Sequence, residues 1–123
     1  MSTWQDLSDE SRRAAQALHE GGMFRGSINR AYFAAYAAIA QHLEGKVTFP
    51  QGRSNPPHAG LTRYVQNVLP GLSAGARRDI KHKVRVLYKA RVSADYLPAD
   101  SCDEKLAKHA LREAAGIVAQ LSR

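Results

Sequence analysis

The stretch SINRAYFAAYAAIAQHLEG, residues 27–45, decides the fold. Ile28, Tyr32, Ala35, Ile39 and Leu43 recur every three or four positions, which is the period of one helix face. The spacing predicts a helix over about residues 25–44, closed by Gly45. Between the large residues the chain is almost all alanine. Small side chains let a neighbouring helix approach closely, so this helix is expected at the centre of a bundle or at a dimer interface.

The same period appears on both sides. A first helix is expected over about 4–20, with Thr3 or Ser8 as cap and Gly21–Gly22 as its end. Residues 45–57, GKVTFPQGRSNPP, form the one long loop, because paired prolines and scattered Gly, Ser and Asn leave no room for a helix. A short helix over about 58–68 is opened by Pro57, and a long one over about 74–97 is capped by Ser73 and stopped by Pro98. A last helix over about 102–121 is capped by Asp100 or Ser101, with Leu106, Ala110, Ile117 and Leu121 facing inward. Sustained alternation of β-branched residues is absent, so no strand is expected. The expected fold is all-α, an antiparallel bundle of four to five helices forming a single domain over residues 1–123.

Composition narrows the function classes. At 44% hydrophobic residues, the 123-residue chain can build a core, and no apolar run is long enough to span a membrane. One cysteine, Cys102, excludes an internal disulfide, and the N-terminus lacks the pattern of a signal peptide. The expected location is the cytoplasm. Net charge is +7, and its source is local. Residues 53–91 carry nine basic side chains against Asp79 alone, while the two flanking segments are close to balanced. A concentrated basic region is the footprint of a polyanion ligand, with a solvated helix face as the plainer alternative. Arg77, Arg78, Lys81, Arg85 and Lys89 are the candidate phosphate contacts on the long helix.

YKARVSADYLPAD, residues 88–100, holds the most informative charge. Ile80, Val84, Leu87, Arg91 and Ala94 fall within a sector about 80° wide, with Asp95 at its edge. A guanidinium there needs a partner or a cleft. Asp95, one turn on, makes either a structural ion pair or the orienting group of a phosphate-facing arginine. Arg30, just off the stripe of the alanine-rich helix, is a candidate second guanidinium for the same groove, with Ser27, Asn29 and Tyr32 around it. His58, expected at a helix start, has its basicity lowered there and is a candidate base, or else a loop-to-bundle hydrogen bond. Arg77 and His82 stand five positions apart, about 140° around a helix, so they diverge. The sequence has no Cys/His cluster, no Gly-rich phosphate loop and no carboxylate pair, so no metal and no cofactor is expected.

SINRAYFAAYAAIAQHLEG, a loop, HAGL, YKARVSADYLP and a final amphipathic helix together resemble the HEPN superfamily, closest to its small stand-alone bacterial members, over roughly residues 8–121. The resemblance implies a dimerising helical bundle with RNA as the usual substrate. Many members are metal-independent ribonucleases of toxin–antitoxin, CRISPR and phage-defence systems. Others are non-catalytic nucleotide- or RNA-binding partners, often encoded beside a minimal nucleotidyltransferase. Arg91 matches the arginine of the family's active motif. Where the motif histidine is expected, Asp95 or Tyr96 stands instead, and His58 matches an H-x-G found after the loop in related small members. The implied catalytic set is Arg91, His58, Asp95 and Tyr96, with RNA, a nucleotidyltransferase or a second copy of the chain as partners.

Overall fold

A computed structural model describes residues 2–49, 52–53 and 55–122. They form five helices and no strand: α1 (Trp4–Glu20), α2 (Phe24–Leu43), α3 (Leu61–Val68), α4 (Ala74–Tyr96) and α5 (Glu104–Leu121). The bundle is built around α2, which packs on α1, α4 and α5, while α3 lies on α4. Ile28, Tyr32, Ala35, Ile39 and Leu43 are all buried, as are Ala31, Ala34, Ala37, Ala38 and Ala40. The alanines therefore admit neighbouring helices within one chain.

Hydroxyls set the α1–α2 contact. The Ser8 hydroxyl donates to the Ala34 carbonyl and the Ser27 hydroxyl to the Ala15 carbonyl, each at 2.8 Å. Residue numbers rise on one helix as they fall on the other, so the pair is antiparallel. Both serines are fully buried, and a buried hydroxyl must find such a partner. Along α2 and α4 the contacts also run in opposite directions, from Asn29–Asp95 to Tyr32–Tyr88.

Thr3 caps α1 in a capping box with Asp6, and Ser73 caps α4 through the Ala76 amide. Two helix starts differ from expectation. α3 begins at Leu61 and not at 58, because residues before it are held by tertiary contacts: the Tyr36 hydroxyl donates to the Pro56 carbonyl, and Asn55 Nδ2 donates to the Tyr36 hydroxyl at 2.7 Å. α5 begins at Glu104, capped by Asp103, whose carboxylate accepts from the Leu106 amide at 2.9 Å. Asp100 is otherwise engaged, its carboxylate accepting from the Ser93 hydroxyl and its carbonyl from Arg25. The inward face of α5 is Ala107, Ala110, Ala114, Ile117 and Val118, with Leu106 and Leu121 only partly buried.

α4 corrects a third expectation. Ile80, Val84 and Leu87 are buried, but the stripe continues through Ala90 and Ala94, and Arg91 flanks it. The end of α4 is held by Arg25, at the start of α2. Its Nη1 donates to the carbonyls of Ser93 and Ala94, each at 3.0 Å, and of Leu97 at 3.3 Å. Its Nη2 donates to the carbonyls of Pro98 at 3.2 Å and Asp100 at 2.6 Å. The last carbonyls of a helix lack intrahelical partners, and a guanidinium satisfies several at once. No described helix is long and apolar enough to cross a membrane.

Candidate nucleic-acid site at the α2–α4 seam

Tyr32 is the centre of the site. Its place on the buried face of α2 leaves it 3% exposed, yet two candidate residues and a further aromatic ring meet on it. Its hydroxyl lies 2.8 Å from His58 Nδ1. The Arg91 guanidinium carbon lies 5.3 Å from its ring centroid, within cation–π reach. The Tyr88 ring meets it edge-on at 5.9 Å.

His58 arrives from the loop before α3. The anchoring of Asn55 and Pro56 on Tyr36 delivers it, and its ring stacks on Tyr36 with centroids 4.2 Å apart. Burial holds its pKa below the ordinary imidazole value, and the nearby charges of Arg91 and Arg53 lower it further. The helix start invoked from sequence is not the cause, since α3 begins three residues later. The neutral ring has two tautomers. With the proton on Nδ1, it donates to the Tyr32 oxygen and leaves the Nε2 lone pair to accept a proton; with the proton on Nε2, the Tyr32 hydroxyl donates to Nδ1. Burial pushes the Tyr32 phenol pKa well above its ordinary value, so the hydroxyl stays protonated in either case.

Arg91 lies between the rings of Tyr32 and Tyr96, the latter at 5.7 Å. Its Nε approaches Asp95 Oδ2 at 3.3 Å, with 22% and 24% of the two side chains exposed. Neither Nη makes a hydrogen bond among the described residues. Asp95 Oδ2 also accepts from Asn29 Nδ2 at 2.8 Å. Asn29 Oδ1 in turn accepts from Arg30 Nε at 3.0 Å and Nη2 at 2.9 Å. Only this orientation of the Asn29 amide satisfies a carboxylate on one side and a guanidinium on the other. Arg91, Asp95, Asn29 and Arg30 thus form one polar chain across the seam.

Beside His58 runs a groove of about 480 Å³, lined by Leu61, Val84, Tyr88, Arg85 and Lys89 among others and, among the described residues, by no carboxylate. Arg85 and Lys89 therefore join His58. Arg77, Arg78 and Lys81 do not: they lie one to several turns earlier on α4, Lys81 bonded to Gln66 and Arg78 about 20 Å of helix rise from Arg91. A second concavity, about 430 Å³ between α1, α2 and α5, is floored by alanines and rimmed by Asp9, Arg12 and Arg13, and holds none of the candidates. Among the described residues no group of acidic, His and Cys side chains is placed to hold a metal ion. Tyr32, Tyr36, Asn29 and Tyr88 are the site residues that sequence reasoning missed. The only signal was Asn29 and Tyr32 one helical turn or less from Arg30, which reads equally as core.

A protein-family model described as HEPN domain matches residues 1–123. Neither a curated protein nor a solved structure matches the chain.

Proposed function

The chain belongs to the HEPN domain family, and from that membership we propose that it is an RNA-directed protein of a toxin–antitoxin or phage-defence system, acting as a metal-independent endoribonuclease at the His58–Arg91 site. The observation that carries the reading is the meeting of His58 and Arg91 on Tyr32, with His58 also lining the groove that carries Arg85 and Lys89. In this reading His58 takes the role of the motif histidine missing from α4.

In the proposed reaction a ribose 2′-hydroxyl attacks the adjacent phosphorus. Its proton passes to His58 Nε2 in the tautomer whose Nδ1–H donates to Tyr32. The free Nη groups of Arg91 stabilise the charge of the pentacovalent phosphorane, and Asp95 and Asn29 hold that guanidinium in place. The 5′-oxygen leaves, taking a proton from the imidazolium, and a 2′,3′-cyclic phosphate remains. Arg85 and Lys89 hold flanking phosphates. Tyr96, covering the outer side of Arg91, is a packing contact of that clamp.

A second reading rests on Asp95 and Tyr96 standing where the motif histidine belongs: a non-catalytic RNA- or nucleotide-binding module paired with a nucleotidyltransferase. One experiment separates them. Purified protein is incubated with labelled total RNA and transfer RNA in chelator. The first reading predicts cleavage that leaves cyclic phosphate ends. Salt-sensitive binding without cleavage supports the second. Neither cleavage nor binding would overturn both RNA readings in favour of a protein partner.

A further inference from the structure

We propose that the open face of Tyr88 is a base-stacking platform, so that the groove takes unpaired RNA and holds the base of a nucleotide beside the phosphate contacts. This rests on the RNA reading above and adds to it the class of RNA and the residue that selects it.

Tyr88 is placed as a surface aromatic. The buried stripe of α4 runs through Val84, Leu87, Ala90 and Ala94, and Tyr88 lies beside it with 38% of its surface exposed. Met23, Tyr96 and Leu97 are the other exposed large apolar residues among those described, and none of them lines the groove. Tyr32 meets Tyr88 at 62°, so it occupies at most one face of the ring while fixing its position. The Tyr88 hydroxyl makes no hydrogen bond among the described residues, so no buried polar contact accounts for a tyrosine here. Tyr96 is more exposed, but the Arg91 guanidinium already covers its ring.

The surroundings select the ligand. Arg85 and Lys89 stand on either side of Tyr88 along α4, and His58 faces them across the groove. A flat apolar face flanked by cations matches a base attached to a phosphodiester backbone. A bare phosphate would leave the ring unused. A duplex keeps its base faces stacked on one another and out of reach. The volume of about 480 Å³ is in the range of a small-ligand cleft.

The test is binding, read by fluorescence anisotropy with three labelled probes of equal backbone charge: single-stranded oligoadenylate, an abasic oligonucleotide and an RNA duplex. Wild type is expected to prefer oligoadenylate over the abasic probe. Tyr88→Leu keeps the apolar contact with Tyr32 but removes the π face, and should weaken oligoadenylate binding by about 5- to 100-fold while leaving the other two probes unchanged. Tyr88→Phe should bind as wild type. Equal weakening of all three probes by Tyr88→Leu, or of none, would overturn the platform. If binding is then still lost in Lys89→Ala, the RNA reading survives without it. Should Tyr88→Leu fail to fold, wild type decides: equal affinity for oligoadenylate and the abasic probe overturns the proposal. Absence of salt-sensitive binding to any probe overturns the platform and the RNA reading together.

Discussion

Arg91→Ala is expected to lower RNA cleavage by about 10²- to 10³-fold, the size of effect seen when one donor to a developing oxyanion is removed. The Nη groups are the only guanidinium donors at Tyr32 that no described residue occupies, so nothing nearby replaces them. Arg91→Lys keeps a charge but not the planar fork and should recover only part of the rate. His58→Ala, in the same assay, should lose about 10²- to 10⁴-fold, the range for a general base. His58→Gln is the sharper variant, since its amide can still bond the Tyr32 hydroxyl and keep the loop in place. Circular dichroism melting of each variant separates lost chemistry from lost fold. Wild-type cleavage rates in both Arg91→Ala and His58→Gln would remove the catalytic assignment.

Arg25→Ala is expected to destabilise the protein by about 3 kcal/mol, equivalent to a fall in melting temperature of roughly 10–20 °C. One guanidinium donates to five carbonyls at and beyond the end of α4. Each hydrogen bond to a charged group is worth about 1.5–3 kcal/mol, but five on one side chain are not additive and part of the group is exposed. A positive charge at a helix C-terminus adds up to about 2 kcal/mol in a partly buried site. Arg25→Lys has three donors on a single nitrogen and should recover about half. A change under about 0.5 kcal/mol in urea unfolding, as for an ordinary surface substitution, would show that α4 needs no such cap. Because Arg91, Ala94 and Asp95 lie within two turns of that end, loss of the cap should also reduce RNA affinity.

The helices were legible because their signals are local. The α2 stripe, the Thr3 and Ser73 caps and the stop at Pro98 each depend on residues within a few positions. What failed locally failed for a tertiary reason. Asp100 looked like a cap but is held by Arg25 and Ser93, so Asp103 takes that place. On α5 and at the end of α4 the alanines make neighbouring helical faces equally apolar, and the inward one is settled only by what packs against it. Arg91, Asp95, Arg30 and His58 could be singled out as charges or imidazoles in odd company. Their meeting could not, because it depends on α2 running antiparallel to α4 and on Tyr36 anchoring the loop. Arg25 gave no signal at all, its partners being 68 to 75 residues away.

The measurement that tests the phosphate site most directly is the titration of His58 by NMR, in the free protein and with a 2′-deoxy oligonucleotide that binds but lacks the attacking hydroxyl. His58→Gln assigns the resonance. In the free protein His58 should titrate below the ordinary value of about 6.5, because burial, Arg91 and Arg53 all disfavour its charged form. The folded value then lies below the unfolded one, so stability is full above that ordinary value and declines as pH falls through the folded one. A bound phosphate reverses the local field, so the pKa should rise when the oligonucleotide saturates the protein. An unchanged His58 titration, while other resonances report binding, would place the nucleic acid elsewhere and contradict the site.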